Sequence, residues 1–340
     1  MNSSSRHRII QLLRYCIAIA VLGWLIYRGD WSSTLDVLTE ISLFVVFLLV
    51  LLSVVQLLIR FFMWYSLLYH VGKISYWVAA EIDMIVNFVN QLLPSQLSGR
   101  SIAPILISRR LDVSTGTAIG ITSFHTMLHT AIYGVLAVVG IILIFESTPL
   151  GMVGLLCVSA ALYLISGLLI SLGSLNTEVI DSIADRLKPS IQRIPWIGTR
   201  LAAQFDRIPQ FTSDAKEVFV ELLNSPKTVA VYLLGWIGAV ALFPSLRIFI
   251  LFEAFGVSFP QIAFLPLIII SAYSVTLLPF APGGIGITEA TAAIVFTSLG
   301  VPYEIAVSSV LVDRVIGLYL PGLLGWYPTV REDLFTAEYE

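Results

Sequence analysis

The chain has 340 residues, 57% hydrophobic and 12% charged, with a mean hydropathy of +0.91 and a formal net charge of −3. Average soluble proteins carry about 25% charged residues, so a disordered chain and a soluble globule are both excluded, and an all-α polytopic membrane protein remains. A charge this close to zero, with no basic tract interleaved with aromatics, does not imply a nucleic-acid partner, and none is expected.

Arg6, Arg8 and Arg14 flank the start of the apolar run 9–27, and Trp24, Tyr27, Arg28 and Trp31 stand where a cleavage site would need small residues. The run is therefore expected to be an uncleaved first span. Further runs of the roughly 20 apolar residues that cross a bilayer occupy 41–68, 116–145, 150–173, 228–252 and 304–327, six spans in all. Cys16 and Cys157 sit in apolar runs and read as small hydrophobes.

Two segments break the pattern. Residues 77–110 are apolar but carry Glu81, Asp83, Asn87, Asn90, Gln91, Pro94, Gly99 and Arg100. Residues 259–299 form two short apolar arms split by LLPFAPGGIGITE, which holds Pro279, Gly283, Gly284, Gly286 and Glu289. If both are re-entrant, all of the 19 Lys and Arg except Arg28, Arg247 and Arg314 fall on the inner side. Cytoplasmic loops are enriched in Lys and Arg, so a cell-membrane protein with cytoplasmic N- and C-termini is expected.

Residues 174–227 are the one substantial polar segment, with seven basic and seven acidic residues and apolar positions recurring every three or four. That is the mark of amphipathic helices, expected on the cytoplasmic membrane surface.

The broken segments are related. LLP recurs at 92–94 and 277–279, an offset of 185, and Gly99 and Gly284 each follow five residues after the proline. The preceding spans are offset by 187 and the following spans by 188. A single integral membrane domain is expected, with a first repeat over 41–145 and a second over 228–327. The hairpins enter from the inner and outer sides, so the repeats are inverted. Interrupted segments at matching positions mark transporter substrate sites. Pro94 and Pro279 lack an N–H, so the carbonyls of Asn90 and Val275 are expected to lose their helical partners, which lipid tolerates only beside protein or a wet cavity. Each break starts a half-helix whose free N–H groups suit an anion.

Asp313 and Arg314 fall near mid-membrane in the last span and must face protein or a cavity. Arg314 suits a lipid phosphate or a structural pair with Glu289. Glu289 stands at N3 if Gly286 is an N-cap, or it faces the translocation path. His125 and His129, four apart, share one helical face. HTMLH lacks the glutamate of a zinc motif and has no evident third ligand, so polar lining is expected, with no metal and no cofactor. Gly116 and Gly120 read as a close helix contact.

At this point a resemblance emerges. APGGIGITEATAAIVFTSLGVPYEIAVSSVLVDRVIGLYLPGLLGW, residues 281–326, resembles the second signature of the lysylphosphatidylglycerol synthase transmembrane, or flippase-like, family. LLPSQLSGRSIAPILISRRLDVS, residues 92–114, is similar to its first, although the acidic residue that usually follows the Gly-Arg-like turn is missing after Gly99 and Arg100. The family includes the membrane half of the bacterial multiple peptide resistance factor. The likeness covers the chain from about residue 40 and implies a module that moves an anionic or headgroup-modified lipid, phospholipid or polyprenyl-linked, between leaflets. Residues 328–340 alone follow the last span, so the family's synthase domain is not expected and the chain is expected not to be an enzyme. The alternative is a membrane-embedded enzyme or accessory subunit for lipid or polyprenyl-carrier modification. Expected partners are membrane lipids; a homo-oligomer or a partner lipid-modifying enzyme is compatible with the sequence.

Overall fold

The computed structural model describes residues 41–92, 102–192 and 208–331. The expected first span at 9–27, and Pro94, Gly99 and Arg100 of the first hairpin, lie outside the described residues. Among the described residues the chain is helical, with no strand.

Eleven helices are described. They are α1 Leu43–Val71, α2 Tyr76–Leu92, α3 Ala103–Leu111, α4 Thr115–Ile144, α5 Leu150–Leu175, α6 Thr177–Gln192, α7 Ile208–Leu223, α8 Pro226–Ala254, α9 Ile262–Leu277, α10 Ile287–Ser298 and α11 Tyr303–Arg331. Five are long and apolar enough to cross a membrane: α1, α4, α5, α8 and α11. Each coincides with an apolar run in the sequence. Phe47, Ile142, Leu168 and Leu234 point outward from these spans, as side chains do when the solvent is hydrocarbon. The chain is a multi-pass membrane protein.

Local chemistry sets the ends. Ser42 caps α1 by accepting from the Val45 N–H, and Ser114 caps α4 by accepting from the Thr117 N–H. Asp112, with φ of 53°, turns the chain from α3 into α4. α4 has 30 residues, about 45 Å at 1.5 Å per residue, and is the axis on which the rest is arranged. At its first end Ser114 Oγ donates to Asp214 Oδ2 at 2.7 Å. At its last end Thr148 Oγ1 lies 3.3 Å from Ser298 Oγ, so α10 finishes there.

The two short-helix pairs approach from these opposite ends. Arg110 bonds Glu81 at 2.6 Å, tying α3 to α2 beside the start of α4. Ser271 Oγ on α9 donates to the Ala137 carbonyl at 2.9 Å, near the other end. α10 has 12 residues, about 18 Å, too short to cross a bilayer. The end of α2 meets the turn between α9 and α10 in the interior, where a Cβ on Gly283 would sit 3.2 Å from the Gln91 Cα.

The amphipathic segment has a partner within the protein. α7 runs alongside the first half of α4, where a Cβ on Gly116 would lie 2.6 Å from Asp214 Cβ and one on Gly120 2.5 Å from the Ala215 carbonyl oxygen. Phe219 and Leu222 are buried, and the Phe219 ring meets Phe124 edge-on at 6.0 Å. The two glycines thus seat α7 against a span, and its apolar face is covered by protein.

Candidate functional site

Where the end of α2 meets the turn between α9 and α10, the helices line a cavity of about 210 Å³. Its wall follows helical periodicity. α1 contributes Gln56, Arg60 and Trp64, α2 contributes Asp83, Asn87, Asn90 and Gln91, and α4 contributes His125, His129 and Tyr133. Each set recurs at three or four residues, which puts it on one face. Tyr163, Arg247, Tyr273, Gly283, Asp313 and Arg314 close the remaining sides.

Three arginine–carboxylate pairs hold this wall. Arg60 meets Asp83 at 2.6 Å. Arg247 Nε meets Asp313 Oδ1 at 2.7 Å, both side chains being 2% exposed. Arg314 Nε meets Glu289 Oε1 at 3.0 Å. A charge at this depth is tolerated only with a partner, and further donors complete the set. The Tyr273 hydroxyl donates to Asp313 Oδ2 at 2.8 Å, and the Tyr319 hydroxyl donates to Glu289 Oε1. The Arg314 guanidinium carbon lies 5.3 Å and 5.4 Å from the ring centres of Tyr273 and Tyr319, within range of cation–π attraction.

Two π-helical segments shape the wall, Ile237–Leu242 in α8 and Val315–Tyr319 in α11. The Phe243 N–H bonds the Gly238 carbonyl, and Pro244, five residues after Ala239, has no N–H to offer. The Ala239 carbonyl is served instead by Gln56 Nε2 at 2.6 Å. Likewise Gln91 Nε2 donates to the Leu318 carbonyl at 2.8 Å. Gln56 Oε1 in turn accepts from Arg247 Nη1. Gly317 makes room for Arg247, because a Cβ there would collide with the guanidinium. Such bulges recur at functional sites in helical proteins.

The sequence-marked residues fall into distinct places. Asn90, His125, His129, Gly283, Asp313 and Arg314 line the cavity. His125 contacts the Tyr232 hydroxyl at 3.0 Å and stacks on Trp64 at 4.4 Å, and His129 Nδ1 accepts from Trp236 Nε1 at 3.0 Å. Glu289 stands behind Arg314. Gly283, Gly284 and Gly286 have φ of 58°, 73° and 85°, the left-handed region that favours glycine. Pro279 is exposed at the turn.

One expectation needs correction. The Val275 carbonyl does have a partner, because the chain tightens to a 3-10 turn and the Leu278 N–H reaches it at 2.9 Å. The N-terminus of the second half-helix holds an anion of its own. Gly286 is the N-cap, and its N–H donates to Glu289 Oε2 at 2.6 Å. Asp313 and Arg314 do not pair with each other but with Arg247 and Glu289.

Sequence reasoning did not single out Gln56, Arg60, Arg247, Tyr273 and Tyr319 as site residues. The available signal was a polar side chain within an apolar span, at four-residue spacing for Gln56 and Arg60.

Among the described residues of the cavity wall, Arg314 Nη2, Asn87 Nδ2 and Asn90 Oδ1 have no hydrogen-bond partner. Buried polar atoms are nearly always bonded, and these belong to residues that line the cavity.

Comparison with known proteins fixes the family. The family model described as the lysylphosphatidylglycerol synthase TM region matches residues 11–325. An UPF0104 membrane protein of Pyrococcus horikoshii is 22% identical over 337 residues, covering 91% of this chain and 93% of that protein. An UPF0104 membrane protein of Methanothermobacter thermautotrophicus is 30% identical over 146 residues, covering 43% of this chain and 41% of that protein. No solved structure matches. A lipid-related role in the membrane follows from the family, and the chain belongs to the lysylphosphatidylglycerol synthase TM region family.

Proposed function

We propose that the protein is a lipid transporter, moving an anionic or headgroup-modified lipid between the leaflets of the cell membrane without covalent chemistry. The observation that carries this reading is the meeting of two short-helix hairpins, from opposite ends of the molecule, at a polar cavity with unpartnered polar atoms. Element lengths support an inverted repeat around that meeting. A 29-residue span, a 17-residue helix, a 9-residue helix and a 30-residue span make the first series. In the second series the spans have 29 residues each and α10 has 12. Inverted repeats with broken helices at the repeat interface suit alternating access.

Arg109 and Arg110 lie at the end where α4 begins, which supports a cytoplasmic position for that end. The test is leaflet exchange of a fluorescent phospholipid in proteoliposomes of the full chain. Exchange faster than in protein-free vesicles supports transport, and equal rates overturn it.

A further inference from the structure

The leftover chemistry of the cavity selects a headgroup class. Both carboxylates that line it are taken, Asp83 by Arg60 and Asp313 by Arg247 and Tyr273. Glu289 behind them is taken by Arg314, Tyr319 and the Gly286 N–H. An ammonium group entering here would meet no free carboxylate among the described residues of the wall. It would also meet the guanidinium of Arg314, whose side chain is 7% exposed. An ion buried without a counter-charge is disfavoured.

The unpartnered atoms ask for something else. Arg314 Nη2 is a cationic donor and suits a phosphate oxygen. Asn87 Nδ2 and Asn90 Oδ1, a donor and an acceptor one helical turn apart on α2, suit hydroxyl groups, which both give and take hydrogen bonds. Trp64, Tyr133 and Tyr163 supply flat apolar wall between these polar points, the mixture typical of small-molecule sites. The volume, about 210 Å³, is below the roughly 300–1,000 Å³ of drug-sized ligand sites, so it fits a headgroup and leaves acyl chains outside.

We propose that the cavity binds a phosphodiester headgroup carrying an uncharged, hydroxyl-bearing substituent, a glycerol or sugar-like ring, and rejects an aminoacylated, ammonium-bearing headgroup. The proposal rests on the transport reading of the same cavity and narrows its substrate class.

Native mass spectrometry of the delipidated full chain in mild detergent tests it. The probes are phosphatidylinositol, lysylphosphatidylglycerol and phosphatidic acid with identical acyl chains, together with water-soluble inositol 1-phosphate. Phosphatidylinositol should be retained at least about tenfold better than lysylphosphatidylglycerol, since stranding buried polar groups carries that order of penalty. The double substitution Asn87→Leu with Asn90→Leu should lower phosphatidylinositol retention about tenfold. It should leave phosphatidic acid retention unchanged, which also reports that the variant is folded. Equal or better retention of lysylphosphatidylglycerol by the wild type overturns the proposal whatever the variants do. Unchanged phosphatidylinositol retention in the double variant overturns it as well. Retention of inositol 1-phosphate as strong as that of the lipid supports the headgroup chemistry and identifies a soluble polyol phosphate as the source. Leaflet exchange separates the two readings. Efficient exchange of lysylphosphatidylglycerol sinks the headgroup class and keeps transport. Selective phosphatidylinositol binding without exchange of any lipid keeps the site and sinks transport.

Discussion

The Arg247–Asp313 pair gives the sharpest stability prediction. Asp313→Asn keeps the shape of the side chain and removes the charge opposite Arg247. The guanidinium is 2% exposed and would face only neutral acceptors, the new amide oxygen and Gln56, with no counter-charge beside it. Removing one member of a buried pair typically destabilises by ~3–5 kcal/mol, whereas replacing both members with apolar groups is often neutral. Asp313→Asn should therefore lower thermal stability sharply. The double variant Arg247→Met with Asp313→Leu should recover part of the loss, since the freed Tyr273 hydroxyl and Gln56 amide oxygen retain ~1–3 kcal/mol of penalty each if left unpaired. The assay is thermal unfolding of purified protein in mild detergent, for wild type, Asp313→Asn, and the cycle of Arg247→Met, Asp313→Leu and their double. The cycle should yield a coupling of roughly 2–3 kcal/mol. Additive losses, with the double as unstable as the sum of its parts, would falsify the claim that this pair holds α8 against α11.

Three further outcomes follow from the geometry. Gly284→Val should abolish lipid exchange or folding, because φ is 73° and a Cβ would lie 2.7 Å from Thr276 Cγ2; Gly154→Val, with nothing within 4 Å of its Cβ position, should leave exchange intact. Gln56→Leu leaves the Ala239 carbonyl without its amide donor, and should cost about 1–3 kcal/mol in the same thermal assay; no change would mean the π segment satisfies itself. Single cysteines at exposed Asp112 and Thr297 should label from opposite sides of sealed vesicles, the first from the cytoplasmic side, and same-side labelling would remove the opposed hairpins.

Spans were readable because hydrocarbon demands long apolar runs, and the five described spans match sequence runs to within a few residues. The Gly286 cap with Glu289 was readable because N-cap and N3 are three residues apart in any helix. Partner choice over long separations was not. Arg314 with Glu289, 25 residues apart, stood as one of two alternatives. Arg247 with Asp313, 66 apart, depends on how α8 and α11 cross and on the space left by Gly317. Gln56 gains its role only because α8 slips into a π segment before Pro244, and helical periodicity does not announce such a slip. Gly140 reads as an ordinary helix glycine, yet a Cβ there would strike Ser271 and the Leu267 carbonyl of α9. The packing of α7 along α4 was half visible. The Gly116 and Gly120 spacing announced a close neighbour, and the tertiary fold alone identified it.

The central claim is that this cavity carries lipid headgroups across the membrane, and one comparison tests it directly. Leaflet exchange of labelled phosphatidylinositol is measured in proteoliposomes holding wild type or the double variant Arg314→Gln with Glu289→Gln. The double change removes both charges together, so no buried ion is stranded, while Arg314 Nη2 is lost as a donor. Wild type should exchange lipid well above protein-free vesicles, and the folded double variant should fall by about tenfold or more, the scale of one lost charged hydrogen bond. Exchange by the double variant at the wild-type rate, or wild-type exchange no faster than empty vesicles, would contradict the account.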